Sequence, residues 1–366
     1  MKVRAILLLP VLSFMPTLPI TASSAAEVAP ARTTEATALN AGKRKAVLDA
    51  AIVKMRADYV FPEKVPAIAK ALRAALASGK YDALTAPDTF IAAVNDDIEK
   101  VANDRHLHLI WSADPLPPMP DPGKIDPAMK KMMGERMARV NYGIRKVENL
   151  DGNIGYLKID GFPPAEMAGD TFAAAMGVLR HSDAMIIDLR DNGGGDPQMV
   201  ALAMSYLVPP ATLINTFHKR DQAVNDQIWS LPFVPGGRWS TDKPVYILTS
   251  KHTASGGEEM AYDVQQLKRG TLIGEPTWGG ANPGTFEPID DHFAIFVPFG
   301  MAVNPISKSN WEGTGVKPDV PVAAADALET AKHLALEKLA ASASGDRLKE
   351  LQHLLDPKNS GSGAAQ

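Results

Sequence analysis

The chain has 366 residues and contains no cysteine. This absence excludes disulfide bonds, zinc–thiolate sites, iron–sulfur clusters and a cysteine nucleophile. Lysine and arginine number 38 against 42 aspartate and glutamate, so no basic surface for a nucleic-acid backbone is expected. The eight histidines include no pair at the spacing of a helical zinc site, and neither a metal nor another cofactor is expected. Serine, histidine, carboxylates, lysine and glycine-rich backbone remain for chemistry.

A long apolar run occurs at the very start of the chain. Lys2 and Arg4 precede the apolar segment Ala5–Ile20, and small residues follow it as far as Ala26. A basic start, a short apolar stretch and a small-residue exit predict a secretory signal that is cleaved near Ala25 or Ala26. Three prolines inside the segment disfavour a membrane-spanning helix. We therefore expect an exported protein, periplasmic or secreted, whose mature chain has no membrane span.

The rest of the chain divides by its hydrophobic pattern. Helical periodicity dominates first, and short β-rich runs then alternate with helices, as in an α/β sheet whose two faces are covered. The predicted divisions are a signal peptide (1–26), a linker (27–39), an N-terminal helical lobe (40–112), a Pro-rich connection and helix (113–142), an α/β core (143–342), and a C-terminal helix with a disordered tail (343–366). Residues 106–111 alternate as a strand, which puts His106 and His108 on one face.

A glycine-rich turn follows the most apolar predicted strand. Asp188 to Pro197 reads DLRDNGGGDP, so a buried strand enters three glycines and then a helix. Without Cβ atoms, backbone N–H groups in such a turn can approach a ligand closely. The segment has no phosphate-loop lysine and no dinucleotide-binding glycine spacing. A simple strand-to-helix turn is the alternative interpretation.

A serine stands at a second junction between a strand and a helix. Ser255 follows the predicted strand Val245–Thr249 and precedes Gly256 and Gly257. The free N–H groups at the start of that helix are suited to stabilising an oxyanion. The alternative is a plain helix cap, with Glu258 completing a capping box.

A third segment, Asn310 to Asp319, places Trp311 beside Glu312 in a loop flanked by glycines. Taken alone, a carboxylate in such a loop is usually a solvated surface group. Glu312 is therefore a candidate site residue only in combination with the first two segments.

The three segments in this order resemble the C-terminal processing (tail-specific) serine peptidase family. The resemblance is greatest to the branch that includes interphotoreceptor retinoid-binding protein and the tricorn core peptidase. The matching stretches are Tyr59–Lys64, Asp104–Leu107, Gly155–Leu157, Asp188–Gly195, Thr253–Met260, Gly274–Thr277 and Gly313–Asp319. The resemblance implies a crotonase-like spiral ββα core with an N-terminal helical lobe.

Two departures from the family pattern bear on mechanism. Members with a Ser–Lys dyad carry the lysine about twenty-five residues beyond the serine, where this chain has Gly280 and no lysine nearby. Members with a PDZ domain insert it before the core, but residues 112–153 are too few to form one. A Ser–Lys base and a PDZ domain are therefore not expected.

The tricorn-like branch implies a Ser–His–Glu site instead. Ser255 would be the nucleophile, His106 the general base and Glu312 the residue that orients the imidazole. The resemblance further implies oxyanion donors at Gly194 and Gly256. Substrate backbone would bind at Gly195, Gly279 and Gly280. The expected substrate is a peptide or an unfolded protein segment.

Several alternatives stay open at this point. His252 and His108 compete with His106 as the base. The same Ser–His pair is also suited to an esterase. A non-catalytic protein that binds apolar ligands is a further alternative, with Phe293 to Met301 lining a pocket or, more simply, forming a core strand. Cleavage specificity and oligomeric state have no signal in the sequence.

Overall fold

The computed structural model describes residues 38–116, 127–220 and 225–356. The predicted signal peptide and the tail after residue 356 lie outside the described residues. The helices are α1 (Ala41–Asp58), α2 (Val65–Ala77), α3 (Pro87–Ala102), α4 (Pro127–Arg139), α5 (Ala165–Leu179), α6 (Pro197–Leu207), α7 (Gly256–Gln266), α8 (Ala327–Ala340) and α9 (Gly345–Leu355). The strands are β1 (His108–Trp111), β2 (Ile144–Leu150), β3 (Ile154–Ile159), β4 (Ala184–Asp188), β5 (Leu213–Lys219), β6 (Asp226–Trp229), β7 (Val245–Thr249), β8 (Thr271–Gly274), β9 (Gly284–Pro288), β10 (Phe293–Pro298), β11 (Gly300–Val303) and β12 (Val320–Pro321).

The described chain divides into two compact units. The N-terminal unit contains residues 38–116 together with residues 284–298. The core unit contains residues 127–220, 225–283 and 299–356.

The N-terminal unit contains the three predicted helices, whose ends follow local sequence signals. Helix α1 begins after Asn40, whose side-chain oxygen accepts the Lys43 N–H at 2.8 Å. Helix α3 starts at Pro87 and stops at Asn103, which adopts a left-handed φ of 47°. Leu39, in the predicted linker, is already buried, and its N–H donates to the Thr85 carbonyl at 2.8 Å.

The N-terminal unit is not purely helical, and this corrects the predicted boundaries. Strands β1, β10 and β9 form an antiparallel sheet with β10 in the middle. Strands β9 and β10 come from the part of the chain assigned to the α/β core. Phe293, Ile295 and Val297 of β10 pack in one apolar cluster with side chains of α1, α2 and α3. These three residues form part of the core, as the simpler of the two interpretations of this stretch predicted for them.

The core unit is built on a six-stranded sheet in the order β12-β8-β7-β4-β3-β2. Strands β3, β4, β7, β8 and β12 pair in parallel, and β2 is antiparallel to β3 at the edge. The predicted α/β class is confirmed. A second, three-stranded antiparallel sheet has the order β11-β5-β6.

Both faces of the central sheet are covered by helices. Along β4, Met185 and Ile187 join one apolar cluster with side chains of α5, α6 and α7. Ala184 and Ile186, which point to the opposite face, join a second cluster with α8 and Leu351 of α9. Burial on both faces explains why β4 reads as a continuous apolar run.

The interval between β1 and the core sheet contains no PDZ domain among its described residues. The described residues of this interval form helix α4 and a short 3₁₀ turn at Asn141–Gly143, which leads into β2. Across the described ranges, no helix combines the length and apolarity that a membrane crossing requires.

Helix α7 contains a buried pair of carboxyl groups one turn apart. Glu259 accepts a hydrogen bond from Asn215 Nδ2 at 3.0 Å, and Asp263 Oδ1 accepts one from Asn304 Nδ2 at 3.0 Å. Asp263 Oδ2 has no hydrogen-bond partner among the described residues. Burial raises the pKa of Glu259 to about 7, and the nearby Asp196 charge adds to the increase. Burial and the charge of Glu259 raise the pKa of Asp263 well above its ordinary value.

The carboxyl pair predicts an unusual pH dependence of stability. Because both folded-state pKa values are raised, their stabilising contribution is complete below the unfolded-state values of about 4. It is lost as the pH rises through the raised values, which for Glu259 is about 7. We expect Asp263→Asn to raise the free energy of unfolding by roughly 2 kcal/mol at pH 8 and to change it little at pH 5. Urea unfolding at the two pH values, followed by tryptophan fluorescence, measures the difference.

The matched control for this prediction is Asp346→Asn, since the Asp346 side chain is 98% exposed. This control should change the free energy of unfolding by less than about 0.5 kcal/mol at either pH. Equal effects of Asp263→Asn at pH 5 and pH 8 would show that the pair does not hold an excess proton in the folded state.

Candidate functional site

The turn after β7 presents Ser255 at the start of helix α7 in a strained conformation. Ser255 has φ 50° and ψ −117°, a region that costs a non-glycine residue about 1–3 kcal/mol. Hydrogen bonds on both sides hold it there. The Ala254 N–H donates to the Asn192 carbonyl at 2.9 Å, and the Ser255 N–H donates to Glu258 Oε2 at 2.9 Å. The second bond is the predicted contribution of Glu258 to a capping box.

The glycine-rich turn after β4 packs directly against the Ser255 turn. A Cβ placed on Gly194 would lie 2.6 Å from Ser255 Cβ and 2.9 Å from the Gly256 nitrogen. A Cβ placed on Gly195 would lie only 2.0 Å from the Phe162 carbonyl oxygen. Both positions therefore require glycine, as the sequence pattern indicated, and they bring two stretches of backbone together.

The backbone N–H of Gly194 is already in use. It donates to Asn192 Oδ1 at 2.8 Å, while Asn192 Nδ2 donates to the Ile159 carbonyl at 3.0 Å. This contact occupies the N–H group that the predicted role of Gly194 as an oxyanion donor would use. Among the described residues, no hydrogen bond is formed by the N–H of Gly195 or of Gly256. A Cβ on Gly256 would lie 3.1 Å from the Gly195 nitrogen, so these two N–H groups are neighbours.

Glu258 is fully buried and is surrounded by donors. Its carboxylate accepts the Thr277 hydroxyl at 2.5 Å and the N–H groups of Gly279 at 2.5 Å and Gly280 at 2.9 Å, besides that of Ser255. Burial raises the pKa of Glu258 to about 7 despite these four donors, each of which lowers it. The sequence pattern around Glu258 indicates solely a capping residue, because its other partners are about twenty residues away along the chain.

Glu312 is held by backbone on the far side of the same segment. Its Oε2 accepts the N–H of Ala281 at 2.6 Å and that of Asn282 at 3.2 Å. The neighbouring Trp311 is buried and donates from Nε1 to the Gly280 carbonyl at 2.8 Å. Glu312 is thus a fixed carboxylate rather than a solvated surface group.

The backbone groups of Gly279 and Gly280 already take part in hydrogen bonds within the protein. Both N–H groups donate to Glu258, and both carbonyls accept, from the Gly313 N–H at 2.9 Å and from Trp311 Nε1. The N–H of Gly195 makes no hydrogen bond among the described residues. Substrate binding at Gly195, Gly279 and Gly280 stays a prediction.

His106 lies in the N-terminal unit, just before β1. Its backbone N–H donates to the buried Asp104 at 3.1 Å, and Tyr59 Oη donates to the other oxygen of Asp104 at 3.0 Å. The imidazole lies 5.5 Å from the ring of Phe296, and His108 Nδ1 is 2.8 Å from the His106 carbonyl oxygen. Burial, with the neighbouring His108, lowers the pKa of His106 to about 3, so the ring is a neutral base at physiological pH.

The other candidate bases lie in different surroundings. The His252 side chain is exposed, and the backbone N–H of His252 donates to Ser250 Oγ at 3.0 Å. His108 is stacked on Phe296, with 5.8 Å between ring centroids. Lys308, the first lysine after position 280, is exposed. Within the described ranges no group of three or more His, Asp or Glu side chains is arranged to hold a metal ion.

Two family models match this chain. The model of peptidase family S41 matches residues 153–322. The model of the N-terminal domain of S41 peptidases in eukaryotic interphotoreceptor retinoid-binding protein matches residues 26–147.

Parts of two curated proteins are similar in sequence to this chain. The carboxyl-terminal-processing protease of Synechocystis sp. is 32% identical over 129 residues, which are 35% of this chain and 28% of the relative. The chloroplastic carboxyl-terminal-processing peptidase 2 of Arabidopsis thaliana is 27% identical over 172 residues, 46% of this chain and 32% of the relative. The matched segments thus span about a third of these relatives.

A crystal structure of a candidate peptidase from Parabacteroides merdae has the same fold. It aligns with a TM-score of 0.56 at 18% identity, over 82% of this chain and 99% of that one. With one S41 model on most of the core unit and the other on the N-terminal segment, the chain belongs to peptidase family S41.

Proposed function

We propose that the chain is a serine peptidase in which Ser255 is the nucleophile, His106 the general base and Glu312 the orienting carboxylate. The observation that carries the proposal is the Ser255 turn itself. A serine held at φ 50° stands at a helix N-terminus, beside the N–H groups of Gly195 and Gly256, which make no hydrogen bond to any of the described residues. A plain helix cap requires neither the strain nor the second glycine turn.

The proposed reaction proceeds through an acyl-enzyme. Ser255 Oγ attacks the carbonyl carbon of the scissile peptide bond while His106 takes the hydroxyl proton. The resulting oxyanion is stabilised by the N–H groups of Gly195 and Gly256, each contributing about 3–4 kcal/mol. His106 then returns the proton to the departing amine. Water, activated by the same histidine, releases the product carboxylate and restores the serine.

The environments of the two partner residues support these roles. The buried imidazole of His106 is neutral at physiological pH, and with a pKa of about 3 it can take the serine proton only if the resulting imidazolium charge is stabilised, which is the role proposed for Glu312. Glu312 is fixed by two backbone N–H groups, as a carboxylate must be to orient a ring precisely. The meeting of His106 with Ser255 and Glu312 is part of the proposal.

We propose peptides or unfolded protein segments as the substrate. The names of the relatives describe processing at the carboxyl terminus of proteins. The absence of a PDZ domain from the described residues argues against capture of a C-terminus by such a domain here. Export, inferred from residues 1–26, belongs to the same proposal and rests on sequence alone.

The nucleophile is tested with a fluorophosphonate probe and a fluorogenic peptide amide. We expect Ser255→Ala to abolish labelling and to lower kcat by at least about 1000-fold, because the residue forms the acyl-enzyme. Ser309→Ala, at an exposed serine, is the control and should keep both. Full turnover by Ser255→Ala would exclude the proposed mechanism. Absence of labelling in the folded wild-type protein would favour the ligand-binding alternative.

The base is tested by a pair of histidine variants. We expect His106→Gln to lower the labelling rate and kcat by about 100-fold or more, because the serine would lose its proton acceptor. His252→Gln changes an exposed histidine and should leave both values within about twofold of wild type. The reverse ranking of the two variants would identify His252 as the base. Circular dichroism at the assay temperature verifies that both variants are folded.

A further inference from the structure

The segment Thr277–Asn282 connects the surroundings of Ser255 to those of Glu312. Four successive backbone N–H groups, those of residues 279 to 282, all donate to carboxylate oxygens. The first two donate to Glu258 and the last two to Glu312. We call this segment the spacer.

The spacer is also fixed at its other polar groups. Thr277 Oγ1 donates to Glu258 Oε1 and accepts the Val316 N–H at 2.7 Å, and the Thr277 N–H donates to the Val316 carbonyl at 3.1 Å. The carbonyls of Gly279 and Gly280 accept from the loop that carries Glu312. Its position is therefore determined from both sides.

Glu258 is the link between the spacer and the nucleophile. One of its oxygens accepts the N–H of Ser255 and that of Gly280, while the other accepts from Thr277 and Gly279. Among the described residues, no lysine, arginine or histidine forms an ion pair with it. A buried carboxylate served entirely by neutral donors has an arrangement that depends on exact geometry.

We infer that Glu258 is a positioning residue that sets the distance between Ser255 and Glu312 through the spacer, and that it acts on turnover rather than on substrate binding. The inference rests on the proposed function and deepens it. It also gives Gly280 a structural role. Family members with a Ser–Lys dyad carry the base at this position. Here a glycine N–H at that position locks the spacer to Glu258.

Glu258→Gln is the direct test, because it keeps the shape and replaces one acceptor oxygen by an amide NH₂. Either orientation of the amide sets this NH₂ against two existing donors. At pH 8 we expect kcat and the fluorophosphonate labelling rate to fall about 100-fold, with KM within about threefold of wild type. Glu259→Gln alters the adjacent buried carboxyl group, which accepts a hydrogen bond from Asn215, and should change kcat less than about twofold.

A double variant separates positioning from a general loss of structure. Since Glu258 and Glu312 act through one spacer, Glu312→Gln should cost much less in the Glu258→Gln background than in wild type. If the two substitutions lower kcat independently, so that the loss in the double variant is the product of the two single losses, the inference is overturned. If Glu258→Gln does not fold, Thr277→Val removes one donor to Glu258 and should lower kcat about tenfold with KM unchanged.

The outcomes distinguish this inference from the proposed function. Loss of activity in Ser255→Ala together with wild-type kcat in Glu258→Gln would overturn the positioning role alone. Retained activity in Ser255→Ala would overturn the proposed function, whatever Glu258→Gln does. A rise in KM without a fall in kcat would make Glu258 a binding determinant and would also overturn the inference.

Discussion

The site depends on the close approach of two turns at one edge of a parallel sheet. Strands β4 and β7 are neighbours, and their carboxyl ends lie side by side. Their turns must therefore share the same space, and a Cβ on Gly194 would lie 2.6 Å from that of Ser255. Glycine in the first turn allows backbone to meet backbone. The N–H groups of Gly195 and Gly256 become neighbours as a consequence of this packing.

That packing constrains Ser255, whose backbone strain must be offset by its surroundings. The free-energy cost of about 1–3 kcal/mol is comparable to the gain from a few hydrogen bonds in a buried setting. The structure supplies them through Asn192, Glu258 and the first turn of α7. Buried strands on both sides keep these donors and acceptors in place, so the core sheet and the conformation of one serine are coupled.

Much of this arrangement was predictable because its signals are local. Apolar runs and helical periodicity located β4, β7, α6 and α7 to within a residue or two, and the glycines marked the turns. The use of each N–H group was not predictable. Whether the N–H of Gly194 is free depends on where the Asn192 side chain points. Whether the N–H groups of Gly279 and Gly280 are free depends in the same way on the Glu258 side chain. The membership of β9 and β10 in the N-terminal unit was not predictable for a related reason, since an apolar strand does not reveal which sheet it joins.

Two adjacent residues of α7 show how surroundings, rather than burial, decide what a carboxyl group does. Glu258 and Glu259 are both buried, yet the first has four donors and the second one. Burial raises the pKa of both groups to about 7, but the four donors of Glu258 also fix the backbone around Ser255. Glu259 instead lies one helical turn from Asp263. Two buried carboxyl groups at this spacing retain a proton, because two like charges there would repel each other. A helix that needed only stability would replace that pair with apolar residues. Its retention beside a strained serine is consistent with a fold in which site geometry takes precedence over maximal stability.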